Sequence, residues 1–330
     1  MARLDIAIPN YNYGRFLHDC IKSVYRQDID DIRILIIDNA STDESAAIAR
    51  GLAAKDPRIE LCLRPENLGQ HASFNTAVDW AQSDYFVILC SDDYLPDGAL
   101  DRAVAALDRH PEAHLAFGET LFLEDGSMPP RSDRATLPAD ERLWSGERFL
   151  RTSCERGRNL IGGPMAVVRT SAQKRAGHFR RDLPHTDDME MWLRFAAIGA
   201  VVEIKHIQSI VRIHGSNQSA VVSNVHHWNV ASEAAFEAFF SDFGRSLPQA
   251  RELLALARRS LSDRAYWCAV SHVLRGEPGV RDLARYAVKL RPASAVFPPL
   301  GYAWRKAGLW QRMALALSGK TRFHTQQAEP

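Results

Sequence analysis

The chain has 330 residues, 46% hydrophobic and 25% charged, with a formal net charge of +1. That composition excludes a disordered chain, and the balanced charge excludes a global nucleic-acid footprint. The length suits one large α/β domain, or a domain with an appendage. The five cysteines, Cys20, Cys62, Cys90, Cys154 and Cys268, include no C-x-x-C pair. Their odd count and spacing exclude a disulfide framework or a zinc site. The N-terminus lacks the apolar core of a signal peptide, and no apolar run approaches the ~20 residues of a membrane span. The expected location is the cytoplasm.

In chain order, residues 4–9 (LDIAIP) read as a buried strand, followed by the turn Asn10-Tyr11-Asn12-Tyr13-Gly14. Phe16, Leu17, Cys20, Ile21 and Val24 then recur at helical spacing. Residues 32–37 (IRILII) form a continuous apolar run ending at Asp38, the pattern of an interior parallel strand. A helix is expected over 46–52, a strand over 59–63, a helix over 73–81 and a strand over 85–90 (YFVILC). This alternation predicts a parallel sheet covered by helices. Strands are further expected at 115–122, 165–168, 201–204 and 209–213, and a helix at 187–198. The polar stretch 124–140 reads as a long loop, a common form for a functional lid. From His226 onward the pattern is helical, punctuated by Pro278, Pro292, Pro298 and Pro299.

Polar turns follow the carboxyl ends of the early strands, where open α/β sheets bind ligands. Ser91-Asp92-Asp93 follows the strand YFVILC. Two adjacent carboxylates there can hold Mg2+ or Mn2+ with positions left for diphosphate oxygens. A helix cap is the plainer explanation, but Asp97 alone would suffice for capping. Pro9-Asn10-Tyr11-Asn12 and Asp38-Asn39-Ala40-Ser41-Thr42-Asp43 offer an aromatic and several amides or carboxylates, suited to a nucleobase and ribose. Ordinary turn chemistry explains each of these segments equally simply when taken alone. Asn67-Leu68-Gly69 is a loop and helix start. Asp187-Asp188-Met189-Glu190 opens a helix. Asp187 with Glu190 would make a capping box, which leaves Asp188 over. Crowding by like charge raises the pKa of a carboxylate and so its basicity, which suits a general base. His214, in Arg212-Ile213-His214-Gly215, ends a strand and is placed to meet a diphosphate or its metal.

Together, in order, these segments resemble glycosyltransferase family 2. That family carries a P-x-Y-N turn, a V-D-D/N-x-S-x-D segment, an N-x-G loop, a D-x-D-like motif, an E/D-D helix start and a late R-x-H loop. The likeness covers about residues 3–220. It implies a GT-A fold, a Rossmann-like, mostly parallel sheet flanked by helices. It also implies a nucleotide-diphosphate sugar donor, a divalent cation and inversion. By position, Pro9, Asn10, Tyr11, Asn12, Asp38, Asn39, Asn67 and Gly69 fall to the nucleotide sugar, and Asp92 to the ribose or donor sugar. Asp93 and His214 fall to the metal and diphosphate, and Asp188 to the base. Two departures stand out. Many relatives carry a carboxylate where Asn39 stands, which leaves UDP, dTDP and GDP open, and many carry an acid where Cys90 stands.

The expected organisation is a catalytic domain over 1–220, with a nucleotide-sugar half (1–112) and an acceptor half (113–220), and a helical region over 221–330. The expected acceptor is a hydroxyl of a growing or lipid-linked glycan. A nucleotidyltransferase is the first alternative, but the turn after the first strand has no glycine before Gly14 and no lysine. A non-catalytic nucleotide- or carbohydrate-binding scaffold is the second, against which all the candidate acids are present. Residues 301–322 carry Arg305, Lys306, Arg312, Lys320 and Arg322 among Trp304, Trp310 and aliphatics, without an acid. Peripheral membrane docking and packing onto the helical region both suit that pattern.

Overall fold

The structure, a computed structural model, describes residues 3–124, 126, 140–162, 165–217 and 224–305. The expected lid and the basic tail past Arg305 lie outside the described residues apart from their edges. Two compact units divide the chain, Met1–Phe149 with Leu160–Asn217, and Leu150–Asn159 with Gln218–Pro330. The first unit ends at Asn217. Residues 150–159, assigned to the catalytic region from sequence, belong to the second unit.

The first unit opens with β1 (Leu4–Asn10), α1 (Gly14–Tyr25), β2 (Ile32–Asp38), α2 (Ser45–Ala53), β3 (Ile59–Leu63), α3 (Gln70–Trp80), β4 (Tyr85–Ile88) and α4 (Ala99–Arg109). The strands of this stretch pair in parallel, β3 to β2, β2 to β1 and β1 to β4. Both faces are covered, so the strands are apolar throughout rather than alternating: Leu4, Ile6, Ile8, Ile34 and Ile36 are all fully buried. Helix α1 turns Phe16, Leu17, Cys20, Ile21 and Val24 inward, the stripe its spacing predicts. Each such side chain contributes roughly 1.5–3 kcal/mol by leaving water.

After α4 come β5 (Ala113–Glu124), β6 (Glu141–Trp144), α5 (Gly146–Arg156, running across the division at 150), β7 (Val167–Arg169), α6 (Thr170–Ala176), α7 (Asp187–Ile198) and β8 (Ala200–Ile213). They extend the sheet to eight strands in the order β3-β2-β1-β4-β7-β5-β8-β6. β5 and β8 are parallel, while β7 and β6 run antiparallel to their neighbours. The result is the mostly parallel, helix-flanked α/β sheet expected from the sequence.

Three readings are corrected. The strand expected through Cys90 ends at Ile88, because Cys90 O already accepts the N–H of Asp93 in a turn. The helix expected from Ser73 starts at Gln70. The two short strands at 201–204 and 209–213 are one strand, β8. Its polar middle, Lys205 to Gln208, coincides with register shifts against β5 around Glu119. There Gly118 makes room: a Cβ would come within 2.7 Å of the carbonyls of Ile204 and His206.

The second unit is helical, with α8 (Val225–Ser241), α9 (Ala250–Arg275), α10 (Val280–Leu290), a 3-10 turn (Pro292–Ala295) and α11 (Leu300–Arg305). No helix among the described residues is long and apolar enough to cross a membrane.

Candidate active site

Strands β1 and β2 end in register, with Asn10 opposite Asp38. Asn10 Nδ2 donates to Asp38 Oδ1 at 2.9 Å. The same carboxylate accepts from Ser41 N at 3.0 Å and Ser41 Oγ at 2.6 Å. Both Asn10 and Asp38 are buried. Asn12 and Ala40 adopt positive φ, 57° and 62°, a conformation that costs a non-glycine residue of order 1–3 kcal/mol. The cross-links hold it there: Thr42 N donates to Asn12 Oδ1 at 2.7 Å, and Asn12 N to Ser41 Oγ at 2.9 Å. Asp43 clamps the starts of α1 and α2, accepting from Gly14 N and Ser45 N at 3.0 Å each. Asn39 Nδ2 donates to Asn67 Oδ1 at 2.7 Å, and Asn39 Oδ1 accepts from Arg64 at 2.9 Å and Leu68 N at 3.1 Å. Asn67 Oδ1 also takes Gly69 N, which starts α3. Tyr11 stands 41% exposed beside this corner, an open aromatic face.

The second corner lies past β4. Tyr94 bridges Ile210 of β8 through two backbone hydrogen bonds, 3.2 and 3.0 Å. That bridge fixes the turn 90–93 against the end of β8. Arg212 N donates to Asp93 Oδ1 at 3.0 Å, and Arg212 Nε to the Asp92 carbonyl at 3.1 Å. Asp92 and Asp93 are both buried. Burial pushes the Asp92 carboxyl above its ordinary pKa, against the pull of His214. Burial and then the neighbouring Asp92 charge push Asp93 well above. Cys90, whose ligand atom lies with those of Asp92 and Asp93 within 4.8 Å, is held as a neutral thiol by burial and by the two carboxylates. A buried carboxylate pair with so few donors suits a divalent cation with oxygen ligands, so the residues present fit the implied metal.

His214 Nε2 sits 3.2 Å from Asp92 Oδ2. Its Nδ1 accepts Ser216 N at 3.2 Å, which assigns the ring proton to Nε2. The ring stacks on Phe16 at 4.7 Å between centroids and meets Tyr13 edge-on at 5.2 Å. Tyr13 donates from its hydroxyl to Ser216 O at 2.7 Å. Burial, then Asp92, pushes its phenol up. Asn217 Nδ2 reaches Arg212 O at 2.9 Å and Asp92 Oδ2 at 3.4 Å.

The third element is the start of α7. Asp187 is buried and faces His71 of α3, with Nε2 3.4 Å from Oδ2 but no hydrogen bond formed. The Asp187 charge also acts on the Cys90 thiol. Asp188 is half-buried on the same turn, its Oδ1 accepting Met189 N at 2.6 Å. Two capping expectations are not met. Glu190 pairs forward with Arg194 rather than closing a box with Asp187. Asp97 pairs with Arg26 at 3.3 Å, and Gly98 occupies the cap of α4.

The structure therefore gathers Asn10, Asn12, Asp38, Asn39, Asn67 and Gly69 into one hydrogen-bonded corner, with Pro9 just before it in β1, and Asp92, Asp93 and His214 into another. Asp188 stands on a separate helix start. Sequence reading gives no role to Tyr13, Phe16, Asn217 or His71, the last two standing only as members of the segments around His214 and after Gly69. A turn aromatic, a helix-face Phe, a loop Asn and a helix-start His carry no chemical pattern until the fold places them.

Residues 5–168 match the profile described as Glycosyl transferase family 2. An uncharacterized protein of Mycobacterium tuberculosis is 24% identical over 340 aligned residues, 93% of this chain and 92% of its own length. A Campylobacter jejuni protein named GalNAc(5)-diNAcBac-PP-undecaprenol beta-1,3-glucosyltransferase is 27% identical over 159 residues, 45% of this chain and 51% of that protein. Mannosyltransferase PcManGT from Pyrobaculum calidifontis, solved in complex with GDP-Man and Mn2+, is similar in fold. Its TM-score is 0.57 at 20% identity, covering 96% of this chain and 80% of that one. The fold is GT-A, and the protein is of the glycosyltransferase class. Within that class the chain belongs to glycosyltransferase family 2.

Proposed function

We propose that this protein transfers a hexosyl or related sugar from a nucleoside diphosphate donor to a glycan hydroxyl, in one displacement that inverts the anomeric carbon. The observation that carries the reading is the buried Asp92–Asp93 pair past the end of β4, at the same strand-end edge of the sheet as the Asp38–Asn39 corner. Asp93, with Asp92 adjoining, holds Mg2+ or Mn2+, and the cation when bound neutralises charge on the leaving diphosphate. The turn Pro9, Asn10, Tyr11 and Asn12, with Asp38, Asn39, Asn67 and Gly69, receives the nucleoside, Tyr11 offering its exposed face for stacking. Asp92 faces the ribose or donor sugar.

We infer that His214 serves the diphosphate corner through Asp92, toward whose Oδ2 its Nε2–H is aimed at 3.2 Å, and not as a ligand of the metal that the sequence suggested. Ser216 N–H occupies the Nδ1 lone pair, so Nε2 carries the proton. Asp188 takes the proton of the attacking hydroxyl, whose oxygen forms the new bond to the anomeric carbon as the bond to the diphosphate oxygen breaks. General-base assistance of this kind is worth ~10²–10⁴ in rate. In-line positioning supplies up to ~7–11 kcal/mol.

A lipid-linked glycan acceptor is supported by the name of the Campylobacter jejuni relative. Peripheral docking through the basic tail would bring the site to such an acceptor at the inner membrane face. The test is a transfer assay with UDP-, GDP- and dTDP-sugars and glycan acceptors in Mn2+, with the product anomer read by NMR. An inverted anomer in a metal-dependent reaction is expected. A retained anomer would sink the single-displacement reading.

A further inference from the structure

The transfer as proposed leaves one buried ionisable pair without a task. His71 is the second residue of α3, and Asp187 is the first of α7. Both side chains are largely buried, 12% and 7% exposed, and Nε2 of the ring lies 3.4 Å from Oδ2 of the carboxylate. Neither of these two atoms has a hydrogen-bond partner. Buried polar atoms left in this state are costly, and they mark a contact that another state of the site completes. An ionised carboxylate only accepts, so the pair bonds when the ring carries its proton on Nε2.

Other bonds hold the elements on either side. Asn75 Nδ2 donates to Phe179 O at 3.1 Å, and Asn75 Oδ1 accepts Phe179 N at 2.8 Å. Gln70 Nε2 donates to Pro184 O at 3.4 Å, and Lys174 Nζ to Asp79 O at 3.0 Å. Phe74 meets both His71 and Phe179 edge-on, at 6.3 and 5.4 Å between centroids. His71 and Asp187 are therefore brought face to face without a bond of their own, and α3 is tied to the segment before α7 without them. The pair joins two parts of the proposed site instead. α3 begins beside Asn67 and Gly69 of the nucleoside corner, and Asp187 precedes Asp188 on the first turn of α7.

We propose that His71 is a positioning residue for the transfer. Its Nε2–H closes on Asp187 Oδ2 when the nucleoside diphosphate and its cation fill the site, and this fixes the turn that aims Asp188 at the acceptor hydroxyl. Hydrogen bonds of this kind are often long in an unliganded site and tighten in the loaded one. Closing from 3.4 Å to an ordinary ~2.9 Å is a side-chain adjustment of about half an ångström. His71 acts through Asp187 and exchanges no proton with the sugar. This role depends on the nucleoside corner and on Asp188 as the base, both proposed above.

The test uses the full-length chain with the sugar nucleotide that supports transfer. His71→Ala is expected to lower kcat by up to ~10²-fold, the cost of a misplaced reacting group, with donor KM and nucleotide affinity near wild type. His71→Gln keeps an N–H at similar reach. It is expected to recover part of the loss, and it serves if His71→Ala does not fold. Asp187→Ala is expected to lower kcat alike, and the double variant to lose no more than the worse single, because each alone breaks the same contact. A second readout needs no turnover. In protein carrying isotope-labelled histidine, adding UDP, GDP or dTDP with Mg2+ is expected to bring out by NMR a slowly exchanging ring N–H that His71→Gln and Asp187→Ala lack. Full kcat in His71→Ala, losses that multiply in the double variant, or nucleotide binding without that N–H signal overturns the proposal. A chain that binds none of the three nucleotides and transfers no sugar fails the donor reading itself, and the positioning role with it.

Discussion

Asp38 and the Asp92–Asp93 pair are buried carboxylates at the same edge of one sheet, yet their surroundings differ in kind. Asp38 receives three hydrogen bonds, from Asn10 and from the backbone and hydroxyl of Ser41. Those donors converge on its carboxylate and shape the loop that the proposed function gives to the nucleoside. Asp93 receives one, from Arg212 N, and Asp92 Oδ2 meets His214 and Asn217 only at 3.2 and 3.4 Å. Both of these carboxyls are pushed upward by burial. The same residue type is thus fixed in place where donors converge on it, and is left needing positive charge where they do not.

Substitution to asparagine at each corner sharpens the contrast. Asp93→Asn is expected to abolish metal-dependent donor binding by calorimetry and with it detectable transfer. In metal-free protein it is expected to raise Tm, since a buried like charge is gone. The sign of the pH effect follows. The folded Asp93 binds its proton more tightly than the unfolded one, whose ordinary value is 3.8. Between those two values the folded state holds the extra proton, so wild-type stability without metal falls as pH rises from about 4 through the folded value. Asp93→Asn flattens that slope, and Mn2+ opposes it in the wild type. A metal-free Tm that rises with pH through that window would reverse the reading of this corner.

Asp188→Asn is expected to lower kcat by ~10²–10⁴ with donor affinity near wild type. Full turnover in that variant would move the base to Asp187 or Glu190. Asp38→Asn is expected to act on stability, lowering it by about 1–3 kcal/mol by placing an N–H₂ against the donors of Ser41. Chemical denaturation measures this, and an Asp38→Asn protein as stable as wild type would erase the distinction between the corners. The smallest effect is expected of Tyr13→Phe, which removes the bond to Ser216 O. That costs ~0.5–1.5 kcal/mol and should appear as a raised KM for donor with kcat little changed.

The strands of the first half were readable because β1, β2 and β4 are apolar runs closed by polar turns. β8 was split because a register shift looks like a polar break when its partner strand is unseen. β6 has four residues, only one of them buried, too little pattern to register. The acids stood out as acids, and their ordering along the chain carried the family likeness. What separates Asp38 from Asp93 did not stand out, since Arg212 lies 119 residues from Asp93 and the Asp92–His214 contact spans 122. The expected cap at Asp97 failed for a local reason, the left-handed Gly98 that starts α4.

Asn39 bears on how the proposed base pocket can change over evolutionary time. Its amide nitrogen donates to Asn67 Oδ1, and its oxygen is taken by Arg64 and Leu68 N. Installing an aspartate at position 39 would set oxygen against oxygen at Asn67. Turning the Asn67 amide over to relieve that would strip Gly69 N of its acceptor at the start of α3. Positions 39 and 67 therefore form a coupled lock. A library that varies them one at a time breaks these hydrogen bonds, and if the proposed pocket is the base site, a route to a new nucleotide preference runs through paired substitutions.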